Sequence, residues 1–190
     1  QKTEARKGYN TDFYEGTCWQ YSYGVPHDVP GLIEAMGGRQ RFTERLQFAL
    51  TNDLIDFGNE PSFMTIWLFD SVQRPYLASY WADKLRGLFT KDGPPGDDDS
   101  GAMGSLYVFL NAGFFPFAGQ DVYFLHGARA SRFAFRVAGG KTFTVTAEHA
   151  GGDRIYIQSA ALNGKPLDVP VIHHRDIVAG GTLAFVMGNR

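Results

Sequence analysis

Residues 132–147 read RFAFRVAGGKTFTVTA. Apolar residues fall at every second position in two runs: Phe133, Phe135 and Val137, then Phe143, Val145 and Ala147. Successive side chains of a strand point to opposite faces, so a period of two marks a half-buried strand. With Ala138-Gly139-Gly140 between the runs, the stretch predicts a β-hairpin. Downstream, RIYIQSAAL (154–162) followed by Asn163-Gly164-Lys165 predicts a strand and a tight turn, and TLAFVM (182–187) predicts a last strand. Gly139-Gly140 and Gly151-Gly152 read as hairpin material, because neither pair precedes a helix as a phosphate-binding loop must.

Upstream, the apolar spacing changes character near residue 117. In RQRFTERLQFAL (39–50), Phe42, Leu46, Ala49 and Leu50 fall at helical intervals. In PYLASYWADKLRGLFT (75–90), Leu77, Trp81, Leu85, Leu88 and Phe89 do the same behind a proline suited to a helix start. PSFMTIWLFDSV (61–72) and GAMGSLYVFLNA (101–112) are apolar enough to predict buried helices. The expected fold is therefore α+β, with a helical part over residues 1–117 and antiparallel β-strands over 118–190.

The 190 residues are 44% hydrophobic and 20% charged, the values of an ordinary globular chain. A net charge of −2, with no Lys/Arg cluster, removes the electrostatic footprint of a nucleic-acid binder. No apolar run approaches the length of about 18 residues needed to span a bilayer. Cys18 is the one cysteine, which forbids an internal disulfide, and it reads as a small buried hydrophobe. The adjacent His173 and His174 have no acidic or cysteine partner at metal-ligand spacing and read as surface or structural. The opening QKTEARKGYN lacks the apolar core of a signal peptide and reads as the cut end of something longer.

Chemistry concentrates in three loop-rich stretches of the helical part: 12–38, 56–63 and 93–101. Each sets a carboxylate among glycines, prolines and aromatics: Glu15, then Glu60, then the run Asp97-Asp98-Asp99. Singly, each has a plain structural explanation as a helix cap or solvated loop. Together, with Trp19, Tyr21, Tyr23 and Trp67 as flat faces on which a sugar ring could stack, they suit acetal hydrolysis. That reaction needs one protonated acid for the leaving oxygen and one carboxylate on the opposite side of the ring. Three adjacent aspartates stay ionised only if water, hydrogen bonds or a cation offsets their repulsion.

Six stretches carry a resemblance in the right order: FYEGTCWQYSYGVPHDVPGLIEAMGG (13–38), GNEPSF (58–63), GDDDSGAMGSLYVFLNAGFFP (96–116), AGQDVYFLHG (118–127), YIQSAALNGKPL (156–167) and GGTLAFVMG (180–188). They resemble glycoside hydrolase family 92, calcium-dependent exo-acting α-mannosidases. The resemblance implies an N-terminal β-sandwich paired with an (α/α)6 barrel, of which this chain would be the C-terminal portion. It also implies inverting release of terminal α-linked mannose, α-1,2 foremost, from N-glycans or mannans. Glu15 falls at the family's general acid, and Asp97 and Asp99 at its general-base pair. Trp19, Glu60 and Asp98 fall among substrate-binding positions, and Asn59 and Glu60 at the loop associated with Ca2+. Thr17, Cys18 and Phe63 differ from several members and bear on linkage preference. A barrel of six helical hairpins needs about a dozen helices, and roughly four are legible here. The implied partners are a mannose-containing glycan and the N-terminal part of the same enzyme, and the implied location is secreted or periplasmic. The alternative reading is a non-catalytic mannose-binding or assembly subunit that retains the sugar site.

Overall fold

The computed structural model describes residues 12–190; the opening decapeptide lies outside the described residues. Helices α1 (Cys18–Tyr21), α2 (Val29–Ala35) and α3 (Arg39–Thr51) come first. On α3, Phe42, Leu46, Ala49 and Leu50 are buried, the stripe that the helical spacing predicts. Residues 61–72 are buried along nearly their whole length, as expected, but they do not form one helix. They break into 3-10 turns at Glu60–Ser62 and Thr65–Trp67, then the single turn α4 (Leu68–Ser71). A segment enclosed on all sides has no solvent face to impose a helical period, so packing sets its course instead.

Helix α5 (Pro75–Arg86) starts on its proline, and Lys84 and Arg86 occupy the last turn, where the helix dipole favours cations. A 3-10 turn at Asp99–Gly101 leads into α6 (Ala102–Ala112), which stops at Gly113. With φ of 90°, Gly113 is left-handed, and a Cβ there would meet Ala128 Cβ at 2.8 Å. Both the angle and the close approach require glycine.

The chain then turns to strands: β1 (Phe114–Pro116), β2 (Val122–Leu125), β3 (Arg132–Arg136), β4 (Thr142–Glu148), β5 (Tyr156–Leu162), β6 (Lys165–Pro166) and β7 (Val171–His173). After the short helix α7 (His174–Val178) comes β8 (Gly181–Gly188). One sheet has the order β1-β2-β7 and the other β3-β4-β8-β5-β6. The hairpin expected at 132–147 is present, pairing Phe133 with Val145 and Phe135 with Phe143. All ladders are antiparallel except β4 with β8, which run parallel. That pair is separated by β5, β6, β7 and α7, which supply the long crossover that a parallel pair needs and that alternation within each strand cannot reveal.

Two apolar cores meet across β1. Phe114 belongs to the core beneath the five-stranded sheet and Phe115 to the helical core. Adjacent strand residues point oppositely, so one dipeptide anchors both. Trp67 stacks on Phe115 with centroids 3.9 Å apart, and its indole N–H donates to His126 Nδ1 at 3.0 Å. His126 is fully buried, and Nε2 faces the Leu110 carbonyl at 3.2 Å. Because Nδ1 accepts, the proton sits on Nε2 and the ring is neutral. Burial, with Arg86 nearby, pushes its pKa down to about 3.

Candidate active site

The stretch around Glu15 is pinned at three backbone positions, Tyr14, Glu15 and Thr17. Tyr21 Oη donates to the Tyr14 carbonyl at 2.6 Å, Asn59 Nδ2 donates to the Glu15 carbonyl at 2.7 Å, and the Thr17 N–H donates to Gln20 Oε1 at 3.0 Å. Gln20 N–H returns to Thr17 Oγ1 at 3.5 Å, completing a capping box at the start of α1. Between these anchors, Glu15 adopts φ of 46°, a left-handed conformation that a non-glycine residue holds only when its surroundings over-determine it. Its carboxylate is exposed.

The same anchors reach the second loop. Gln20 Nε2 faces Ser62 Oγ at 3.1 Å and the Asp56 carbonyl at 3.4 Å, so one buried amide holds the Glu15 stretch against both ends of residues 56–62. Asp56 Oδ1 accepts from Gly58 N–H at 2.8 Å, and Asn59 Oδ1 accepts from Glu60 N–H at 3.0 Å. The third loop packs on the second without side chains between them. A Cβ on Gly96 would lie 2.0 Å from the Gly58 carbonyl oxygen. Asp97, Asp98 and Asp99 follow directly and are exposed. The structure thus joins the first two loops through side-chain hydrogen bonds and the third to the second through a backbone contact. Gln20 and Ser62 were not singled out from the sequence, and Thr17 only as a departure from several family members, although Thr17-Cys18-Trp19-Gln20 fits the Ser/Thr-x-x-Glu/Gln capping pattern.

The three aspartates are not equivalent. Asp98 Oδ1 accepts from Gly104 N–H at 2.9 Å, which ties it to the first turn of α6, while Asp99 opens the 3-10 turn. Gly101 occupies the N-cap of α6, and Asp98 supplies the side-chain acceptor for its first turn.

The aromatic expectations need correction. Trp19, expected as a substrate-binding face, is 3% exposed and packs against Phe48 beneath the Arg45 guanidinium, 4.5 Å from the ring. The capped turn of α1 directs Trp19 inward onto α3 and leaves Cys18 outward, so Cys18 is exposed rather than buried. Tyr23 and Trp67 are core residues as well; only Tyr21 of the four rings keeps an open face.

For calcium, the two residues named differ. Both polar atoms of the Asn59 side chain are engaged, Nδ2 by the Glu15 carbonyl and Oδ1 by the Glu60 N–H, and an amide oxygen that accepts one hydrogen bond keeps a second lone pair. Glu60 Oε1 is buried with no hydrogen-bond partner among the described residues. An unpaired buried carboxylate oxygen is costly, and a hard cation or a sugar hydroxyl would satisfy it. Glu60 lines a groove of about 590 Å³ shared with Tyr21, Phe63, Met64 and Phe115. Among the described residues no group of three or more His, Cys, Asp or Glu is placed around a metal position. Calcium takes about six to eight oxygens, so these residues fit it as contributors to a site and not as a complete shell.

The arrangement can be compared with known proteins. A secreted glycosidase of uncharacterised activity from Arthroderma benhamiae is 38% identical over 181 residues, covering 92% of this chain and 24% of that protein. The structure of a family GH92 alpha-mannosidase from Bacteroides thetaiotaomicron superposes with a TM-score of 0.89 at 29% identity, covering 94% of this chain and 26% of that one. A second GH92 structure from that organism, described as an inverting mannosidase, gives 0.83 at 28% identity and covers 94% and 28%. The chain therefore spans about a quarter of the length of these relatives. Its α+β architecture is that of the corresponding part of the solved structures. Residues 1–189 match the profile of the glycosyl hydrolase family 92 catalytic domain, and the chain belongs to that family.

Proposed function

We propose that the whole protein to which this chain belongs is an inverting exo-α-mannosidase that removes terminal mannose, α-1,2-linked foremost, from N-glycans or mannans. The observation that carries this reading is the convergence of three loops: Glu15 bonded through its carbonyl to Asn59, and Gly96, next to Asp97, seated on Gly58. Similarity to a structure described as an inverting mannosidase supports the stereochemistry. Residues 1–117 would be part of the (α/α)6 barrel and 118–190 its β-rich C-terminal region. The N-terminal part of the enzyme would close the cleft. The relative's description as secreted supports export to the cell exterior or periplasm.

In this reading Glu15 is the general acid. Its proton passes to the glycosidic oxygen as the C1–O bond breaks, and the aglycone leaves as an alcohol. Asp97 and Asp99 hold one water on the opposite face of the ring. As its oxygen bonds to C1, its proton passes to their carboxylates, and mannose forms with inverted configuration. Such a water needs the acid and base carboxyls about 6.5–9.5 Å apart. The left-handed Glu15 and the backbone anchors on Tyr14, Glu15 and Thr17 keep the acid from drifting across that gap. Asp98 holds the base loop to α6 and contributes at most its second oxygen to the sugar. Glu60 Oε1 would meet the −1 sugar or contribute to holding calcium, with further ligands from outside this chain. When bound there, calcium would coordinate sugar hydroxyls and favour a distorted ring.

The experiment is turnover of the complete enzyme and its Glu15→Gln variant on an α-mannobiose and on an activated aryl α-mannoside. A general acid matters most when the leaving group is poor, so the disaccharide should lose about 100-fold or more, while the aryl mannoside loses far less. Equal losses on both substrates, or undiminished wild-type turnover in excess chelator, would count against the acid and the calcium assignments respectively.

A further inference from the structure

Away from these loops, α3, α5 and β5 enclose a second cleft of about 740 Å³. Tyr76 and Tyr80 stand one helical turn apart on α5, are 53% and 36% exposed, and face it together with Trp81 and Tyr156. Tyr80 meets the Trp81 ring edge to face at 5.3 Å, and the Lys84 ammonium sits over the Tyr80 ring, 5.4 Å from its centroid. Gln47 and Lys84 bring hydrogen-bonding ends to the same walls. Tyr76 and Tyr156 also line a neighbouring cavity of about 310 Å³, together with Gln158, Asp168 and Arg190. None of these residues belongs to the three loops around Glu15, Asn59 and Asp97.

We infer that this cleft is a second, non-catalytic binding site for a neutral glycan chain. Partly exposed rings offer flat apolar faces to the C–H side of a pyranose, and amide, ammonium and carboxylate ends at the ring edges match its hydroxyls. A protein partner fits less well, since interface cores are depleted in Lys and Asp, whereas Lys84 lines this cleft and Asp168 the neighbouring cavity. The ligand class rests on the proposed mannosidase reading only in the choice of probe, a branched α-mannan.

The test uses the complete protein and its Tyr76→Ala/Tyr80→Ala variant. Retardation in gels containing α-mannan measures binding, and hydrolysis of an aryl α-mannoside measures the catalytic site. Removing two aromatic anchors should weaken mannan binding by about 10-fold or more and leave aryl-mannoside kcat/KM within about twofold. Unchanged retardation overturns the inference, as does a parallel loss of binding and turnover. Should the double variant unfold, Trp81→Phe decides: the fluorescence change that mannan produces in the wild type should be absent from it, and an identical change in both proteins refutes the site. A protein that binds mannan through these tyrosines yet hydrolyses no mannoside would sink the mannosidase reading and leave the cleft standing.

Discussion

Gly96→Ala isolates the contact that joins the Asp97–Asp99 loop to the Asn59 loop. The added methyl carbon would fall 2.0 Å from the Gly58 carbonyl oxygen, and an ordinary contact begins at 3.4 Å. The loops would have to separate by the difference, about 1.4 Å, because the obstructing atoms are backbone and cannot rotate away. A misplacement of about 1 Å between reacting groups costs on the order of 100-fold in rate, roughly 2.7 kcal/mol of transition-state stabilisation. Overpacking of this kind also costs about 1–3 kcal/mol of stability, so turnover must be measured below the unfolding transition of the variant. Gly104→Ala is the matched control. Its Cβ would lie 3.6 Å from Asp98 Oδ2 on a helical backbone, an ordinary contact, and helix stability should rise by about 0.5–1 kcal/mol. Steady-state turnover of an aryl α-mannoside by the complete enzyme should therefore fall about 100-fold for Gly96→Ala and stay unchanged for Gly104→Ala. A folded Gly96→Ala enzyme working within a few-fold of wild type would refute the claim that this contact sets the acid–base geometry.

Asp97→Asn and Asp99→Asn should each cut turnover by about 100-fold or more on natural and activated substrates alike, whereas Asp98→Asn, whose amide oxygen can still accept from Gly104, should be much milder; a ranking with Asp98 the most sensitive would contradict the base assignment. The pH dependence of stability should carry the signature of His126. Its folded pKa of about 3 lies below the unfolded 6.5, so between these values the unfolded chain binds the extra proton and stability falls as pH falls, by about 1.4 kcal/mol per unit. Buried Asp70, with its pKa raised, acts in the opposite sense, since its contribution is lost as pH rises through the folded value. The difference between wild type and His126→Gln in thermal midpoint, which cancels Asp70, should shift in favour of the variant between pH 7 and pH 4; an equal difference at both would refute the neutral, buried assignment.

The sequence was most legible where one face of an element is buried and the other wet. Phe42, Leu46, Ala49 and Leu50 on α3 and the hairpin of residues 132–147 show the period of their element directly. It failed at residues 61–72, where burial on all sides erases the period, and at the parallel pairing of β4 with β8, because alternation records faces but not neighbours. At the site, the carboxylates and Asn59 were visible through their motifs, while the other groups that join the loops were not. Gln20 and Ser62 act through buried hydrogen bonds and Gly96 through a missing methyl, none of which has a compositional mark. Trp19 was misread because an aromatic beside polar residues looks the same in sequence whether a capped turn directs it inward or outward.

In the proposed reaction, Glu15 and the Asp97/Asp99 pair act across one water on an α-mannoside. Proton NMR of the complete enzyme turning over a terminal α-mannoside tests it most directly, because the anomeric signal of the first-formed sugar reports the stereochemistry before mutarotation blurs it. β-Mannose should appear first, with α-mannose following at the mutarotation rate. Initial release of α-mannose, or no release of mannose at all, would contradict it.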